Sequence, residues 1–261
     1  MLECINLSTG YPGRTVSQNL NFSIQTGEIL TLIGPNGSGK TTLLKTMAGL
    51  LPPLSGTVRM EGCPLCDLSV KQLARRRAYL PQYREVPELS VEALVGHGRF
   101  PYQGFSRQMS EEDRKCVCRA MELTGVTPWR KQPLRRLSGG QRQQAYLALT
   151  IAQDTPLLFW DELTTYLDVK HRLEMLDLAR RLRQEGRTVV MILHELADAL
   201  NFSDRVCLMD GKGAIRCLAP PEEVFLSGEI DRVFGVHTDR IPLGDRQYAY
   251  LFSKAGTEIR L

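Results

Sequence analysis

The stretch that most constrains this chain is GPNGSGKTT, residues 34 to 42. It satisfies the pattern G-x-x-x-x-G-K-S/T. Before it runs EILTLIG (28–34), a short apolar segment that reads as a buried strand. After it comes TTLLKTMAGLL, whose apolar spacing reads as a helix that PPLSG stops. Backbone amides can turn inward around an anion only where side chains do not block them, which accounts for Gly34, Gly37 and Gly39. With the helix N-terminus they form a phosphate cradle made by Gly34, Pro35, Asn36, Gly37, Ser38, Gly39, Lys40, Thr41 and Thr42. Lys40 is placed to reach β- and γ-phosphates, and the Thr41 hydroxyl to bind Mg2+. The competing reading, a plain glycine-rich turn before a helix, does not account for the lysine and hydroxyl at their fixed places.

A second feature matches the first. PLLFWDE (156–162) is a buried-strand signal that ends in two adjacent acids, Asp161 and Glu162. Burying one carboxylate without a partner is costly, and two adjacent ones more so. A phosphate-binding loop needs a second acid site for Mg2+ at the end of another core strand, and Asp161 fits that role. Glu162 is then available to orient or activate a water. Alone, the two acids would read as an exposed strand end. The third feature is LSGGQRQQ (137–144): Ser138, Gly139 and Gly140 precede a helical run and make a second candidate anion site. An ordinary capped helix is the alternative.

Strand and helix signals alternate at both ends of the chain, which predicts an α/β core with a mostly parallel sheet. SVKQLARRRAYLPQ reads as a short helix and a strand ending near Gln82. From about 87 to 152 helical signals dominate, as in an insertion. VKHRLEMLDLARRLRQEG reads as a helix with a core stripe at Leu173, Leu176, Leu178 and Leu182. RTVVMILHE is another buried strand, and RVCLMDGKGAIRCLAP a hairpin turning at DGKG; the tail after Pro221 carries no clear signal.

The 261 residues, 43% hydrophobic and 24% charged, suffice for a real core. A net charge of +4 does not demand nucleic acid. No apolar run approaches the roughly 18 residues of a membrane span, and the start MLECINLSTGY lacks a secretory pattern. A soluble, cytoplasmic chain is therefore expected. Seven cysteines without a small-scaffold pattern read as reduced thiols. Cys63, Cys66, Cys116 and Cys118 lack the usual zinc-finger spacing.

Over nearly its whole length the chain resembles an ATP-binding-cassette (ABC) ATPase subunit. LSGGQ is similar to that family's signature, LLFWDE to its Walker B strand, TTYLD to its D-loop and LPQ to its Q-loop, in the family's order and at compatible spacing. The resemblance implies a single cassette domain, 1–261. That domain would have a P-loop NTPase (RecA-like) core, an N-terminal antiparallel β region, a helical subdomain at about 87–152 and a C-terminal tail at about 221–261. It implies ATP and Mg2+ as ligands. It makes Tyr11 a stacking partner for adenine, His194 a γ-phosphate contact, and Gln82 a residue at the Mg2+. It adds Ser138, Gly139, Gly140, Gln141 and Asp168 to the nucleotide site. It also implies a homodimer with two ATPs sandwiched head to tail, separate transmembrane permease subunits and, indirectly, a substrate-binding protein. Nucleic acid is not an implied partner, and the chain would sit on the cytoplasmic face of the inner membrane.

VEALVGHGRFPYQG, SEEDRKCVCRAMELTGV and TTYLDVKHRLEML are similar to importer ATPases for iron-siderophore, haem and cobalamin substrates. The alternatives are an importer ATPase for another substrate, such as a metal ion, and a soluble ABC ATPase of DNA repair or translation. The latter carry two cassettes or long insertions, which this sequence lacks. A regulatory module without turnover is disfavoured by Glu162. Two departures from the family are Leu163, where proline is usual, and the bulky Trp160. The segment from about Pro87 to Leu134 is expected to carry the permease contact, hinged near Gln82. Phe100, Tyr102 and Phe105 serve there either as anchors or as filling for its own small core.

Overall fold

The computed structural model describes residues 1–82, 86–104, 108–162, 168–244 and 247–254. The chain forms two compact units, Met1–Leu65 with Val190–Leu261, and Cys66–Val189.

The first unit begins with β1 (Leu2–Tyr11) and β2 (Arg14–Ile24), an antiparallel hairpin that pairs Leu2 with Ile24 at one end and Tyr11 with Arg14 at the other. Next comes β3 (Ile29–Ile33), buried at every position, as a strand covered on both faces must be. Helix α1 (Lys40–Met47) follows the glycine-rich loop and buries Leu43, Leu44 and Met47. β4 (Ser55–Met60) pairs antiparallel with β1, and β5 (Cys63–Pro64) with β4, so one sheet has the order β2-β1-β4-β5. The N-terminal antiparallel β region is therefore present.

The second unit holds α2 (Val70–Ala74), β6 (Arg77–Leu80), α3 (Val91–Gly96), α4 (Glu111–Leu123), α5 (Gly139–Ala152), β7 (Leu157–Trp160) and α6 (Val169–Gln184). Helices α3, α4 and α5 pack on one another, and β6 and β7 pair in parallel from Arg77–Leu157 to Leu80–Trp160. Helices α2, α3, α4 and α5 each start at a serine cap: Ser69, Ser90, Ser110 and Ser138 all accept a hydrogen bond from the backbone N–H three residues on. On α6 the expected core stripe holds for Leu176, Leu178 and Leu182, with Met175 beside them. Leu173 is a correction: it is 41% exposed, as is Val169 one turn earlier at 63%, so the N-terminal end of α6 leaves that side of the helix to solvent.

Strand β8 (Thr188–Ile192) carries the chain from the second unit back into the first. There α7 (Leu196–Phe202) leads to β9 (Arg205–Met209), which runs parallel to β3, pairing Leu30 with Arg205 and Ile33 with Leu208. The turn at Asp210 then reverses the chain into β10 (Ile215–Ala219), antiparallel to β9. Asp210 accepts hydrogen bonds from the amides of Lys212 and Ala214, which fixes that turn. The tail folds as α8 (Pro221–Leu226), α9 (Glu229–Phe234) and a hairpin of β11 (Val236–Gly244) and β12 (Gln247–Lys254). Its weak sequence signal reflects dependence on side-chain stacking: the Arg240 guanidinium lies over the rings of Phe225 and Tyr248 and pairs with Glu222.

The helical part of the second unit is pinned by a buried ion pair. Arg99 Nε donates to Asp113 Oδ1 at 2.8 Å, and its Nη1 to the Ala152 carbonyl at 3.0 Å. Burial pushes the Asp113 carboxyl up, but hydrogen bonds from Arg99 and Ser110 outweigh that and hold it below the usual carboxylate range. The depressed group therefore stabilises the fold above the ordinary carboxylate pKa of about 4, and that contribution is lost as pH falls through the lower folded value. Arg99→Ala should cost about 3–5 kcal/mol by leaving a buried carboxylate unpaired. Thermal denaturation at pH 7 and at pH 3 checks this, and the difference between variant and parent should shrink at the lower pH.

Candidate nucleotide site

The glycine-rich loop takes the shape its sequence demands. Gly37 and Gly39 have φ of 79° and 94°, a region in which a Cβ is strained. At Gly39 a Cβ would also lie 2.3 Å from Val16 Cγ1. Gly34 faces a different constraint: a Cβ there would lie 2.5 Å from the Met209 carbonyl oxygen and 3.0 Å from Ser38 Oγ. Glycine is thus required at the loop's start for close approach, and further on for backbone conformation.

Lys40 is 4% exposed, and its Nζ donates to the carbonyls of Gly34 and Pro35 at 2.8 and 2.9 Å. The ammonium therefore arches back over its own loop. Ser38 is fully buried, and its Oγ has no hydrogen-bond partner among the described residues. A buried hydroxyl left in this way is a cost unless something supplies a partner. Thr41 and Thr42 open α1 beside it. Within the same unit, Tyr11 ends β1 and is 45% exposed, so a ring face is open to solvent. His194, two residues past the end of β8, is also exposed. Pro35 and Asn36 lie in the loop, where sequence places them.

The second unit assembles the acids. Asp161, 1% exposed, follows the last residue of β7. Its backbone N–H donates to the Leu80 carbonyl at 2.9 Å, and its Oδ2 accepts from the Tyr79 hydroxyl at 2.7 Å. Glu162 has φ of 53°, an unusual value for a residue with a side chain, and its carboxylate accepts from Gln82 Nε2. Gln82, two residues past β6, is thus brought to the paired acids. Ser138 and Gln141 form a reciprocal capping box at the start of α5: the Gln141 amide donates to Ser138 Oγ at 3.3 Å and the Ser138 amide to Gln141 Oε1 at 3.0 Å. The capped-helix reading and the anion-site reading are compatible, since Gly139 and Gly140 occupy the first turn. Asp168 caps α6, accepting from the His171 amide at 2.9 Å. That hydrogen bond, and then the His171 ring, lower its carboxyl below the usual range.

Leu163 and the residues at 164–167 of the D-loop stretch lie outside the described residues, as does Phe105. The bulky Trp160 fits: it is 1% exposed on an entirely buried β7. Of the other aromatics expected to anchor a partner, Phe100 is 54% exposed. Tyr102 instead lies against the guanidinium groups of Arg99 and Arg75 and donates to the Asp154 carbonyl, so it fills its own unit. Sequence reasoning missed Tyr79. The only signal was its place two residues ahead of Pro81-Gln82; the β6–β7 register that brings it to Asp161 is not written locally.

A glycine-rich loop between a buried strand and a helix, on parallel strands, with a second strand ending in paired acids, defines an α/β P-loop nucleoside triphosphatase. More narrowly, the chain belongs to the ABC transporter family, whose family model matches residues 17–165. It is 41% identical over 240 residues to the iron(3+)-hydroxamate import ATP-binding protein FhuC of Bacillus subtilis, covering 91% of this chain and 89% of that one. Its fold is similar to that of a transporter described as metal-chelate type, solved in an inward-facing conformation. The TM-score is 0.82 and the identity 25%, over 96% of each chain. It is also similar to the dimeric bacterial cassette MJ0796, with a TM-score of 0.75 and 26% identity over 85% of this chain and 99% of that one.

Gly39→Ala tests the loop. The methyl would meet Val16 at a positive φ, so the loop must shift. ATP binding should fall at least about tenfold, a loss of about 1.4 kcal/mol, by titration with a fluorescent ATP analogue. Gly125→Ala, at a φ of 70° but with open space around the Cβ, should leave that affinity unchanged.

Proposed function

We propose that this chain is the ATP-hydrolysing subunit of a bacterial ABC importer that takes up a chelated iron or related complex, of siderophore, haem or cobalamin type. The observation that carries the reading is the loop at 34–42, with Lys40 buried and held over it and Ser38 Oγ buried without a partner. A polyphosphate fits these groups: its oxygens accept from the loop amides, the ammonium and the orphaned hydroxyl. The names of the relatives support the importer class, and FhuC in particular is an iron(3+)-hydroxamate import protein.

On this reading residues 1–261 are one cassette, with about 87–152 as its helical subdomain and about 221–261 as its tail. Tyr11 stacks on adenine, as exposed aromatic faces do. Residues 34–42 hold the phosphates. Thr41, Asp161 and Gln82 are the residues for Mg2+: a hydroxyl, a carboxylate and an amide oxygen are the hard donors this ion takes. Mg2+, when bound, supplies charge neutralisation at the β- and γ-phosphate oxygens. Glu162 accepts the proton of the water that attacks the γ-phosphate, and His194 contacts that phosphate. Products are ADP and inorganic phosphate. Ser138, Gly139, Gly140, Gln141 and Asp168 serve the nucleotide held by a second copy of the chain; that the similar MJ0796 cassette is dimeric supports the pairing of two copies. Among the described residues no helix is long and apolar enough to cross a membrane, so the substrate path is assigned to partner permease subunits. A substrate-binding protein acts through them, and the chain sits peripherally on the cytoplasmic face.

Two substitutions separate binding from turnover. Glu162→Gln keeps the size and polarity but cannot take a proton, so it should bind ATP normally and lose about 10²–10⁴ in rate. Lys40→Ala should fail at binding, because charge-assisted hydrogen bonds of about 1.5–3 kcal/mol each are lost. Nucleotide titration and phosphate release on purified protein check both. Equal turnover of Glu162→Gln and the parent would reject Glu162 as the base.

Coupling to the permease is assigned to the stretch around Phe100, exposed and with its ring tilted against that of His97, centroids 4.4 Å apart, with Gln82 as the hinge. A cysteine at Phe100 should cross-link to the permease in a nucleotide-dependent way, and one at Tyr102 should not. The reverse pattern on gels would move the contact elsewhere.

A further inference from the structure

We propose that Tyr79 is a positioning residue for Asp161, its phenol fixing the carboxylate that receives Mg2+. The inference rests on the reading of Asp161 as a magnesium ligand given above.

Two anchors from one strand hold the acid. The first is backbone: Asp161 N–H donates to the Leu80 carbonyl, continuing the β6–β7 ladder one residue beyond its last pair, Leu80 with Trp160. The second is side chain: Tyr79 Oη donates to Asp161 Oδ2 at 2.7 Å. Strand alternation explains how Tyr79 comes to do this. Ala78 and Leu80 are buried, whereas Arg77 and Tyr79 emerge on the opposite face half-covered, and from that face the phenol reaches along the strand to the acid.

The chemistry favours a phenol here. Asp161 is 1% exposed, and a buried carboxylate needs donors to stay ionised. A hydroxyl donating to an ionised oxygen makes a short, charge-assisted bond that carries no competing positive charge. An arginine or lysine in that place would neutralise the acid and oppose a cation. A carboxylate has about four lone-pair sites, so one phenol on Oδ2 orients the group without exhausting it. Three residues further on, Gln82 donates to Glu162. The strand β6 and its exit thus give each of the adjacent acids its own neutral donor, which lets two carboxylates sit side by side with distinct orientations.

Partners that orient a metal-binding carboxylate typically change metal affinity by about 10–100-fold when removed. The test uses the full-length purified chain and a fluorescent ATP analogue, titrated with Mg2+. Tyr79→Phe should raise the Mg2+ concentration for half-maximal response at least about tenfold. Binding of the analogue without Mg2+ should be unchanged, and turnover should largely recover at saturating Mg2+. A thermal melt identifies any variant that fails to fold. A double-mutant cycle with Asp161→Asn guards against a merely structural effect: in that background Tyr79→Phe should produce no further shift. An unchanged Mg2+ requirement in Tyr79→Phe, or an equal shift in the Asp161→Asn background, overturns the proposal. If the parent chain binds nucleotide with no response to Mg2+, or Asp161→Asn leaves that response intact, the underlying reading of Asp161 falls and takes the proposal with it.

Discussion

The first unit depends on one buried ammonium. Lys40 lies at the start of α1, yet its charge is returned to the loop it follows, to the carbonyls of Gly34 and Pro35. A charge taken out of water must be met by oriented dipoles, and here the loop that carries the lysine supplies them. That closure holds the loop's backbone in a tight arc and fixes where β3 ends and α1 begins. It also explains why glycine is needed at Gly34 and Gly39 for different reasons. The first must let Met209 and Ser38 approach, and the second must adopt a positive φ against Val16.

The second unit solves the opposite problem, that of buried negative charge. Asp113 is met by Arg99 and Ser110, whereas Asp161 is met by a phenol and Glu162 by an amide. The distinction is chemical. Where the pair is structural the partner is a cation, which makes the strongest bond. Where the acid is assigned to a metal ion or a proton, the donor from β6 or its exit is neutral and adds no positive charge of its own. The same unit reuses one local device, a serine cap, to start α2, α3, α4 and α5, and at Ser138 that device coincides with a family motif.

Most of this architecture was legible in the residues. Buried parallel strands such as β3 and β8 announce themselves as unbroken apolar runs, and the glycine-rich loop states its own conformation. The helices of the second unit carry caps that can be read directly. What was not legible depends on pairing between distant segments. Strands β1 and β2 alternate too weakly to stand out, because register shifts in their ladder interrupt the period of two. The β11–β12 hairpin is held by Arg240 stacking, a tertiary contact with no periodic trace. Leu173 matched the apolar spacing of α6 and is nonetheless exposed, since spacing specifies a face but not whether something covers its N-terminal end. Likewise Tyr79 reaches Asp161 across 82 residues of chain. Asp161 and Glu162 were nevertheless legible, because two adjacent acids at the end of a buried strand are conspicuous, whereas Gln82 was picked out only through its resemblance to the family's Q-loop.

Glu162 has a consequence of its own. It is held at a φ of 53°, where a side chain costs on the order of 1 kcal/mol in sterics that glycine avoids. At this position the backbone would be more comfortable without a Cβ. On the proposed role of Glu162, backbone comfort and chemistry therefore pull in different directions at one residue. With Glu162 assigned as the proton acceptor, glycine at 162 would relieve the local strain and remove that acceptor together, and repacking elsewhere cannot separate the two, because the tension lies in the residue's own backbone.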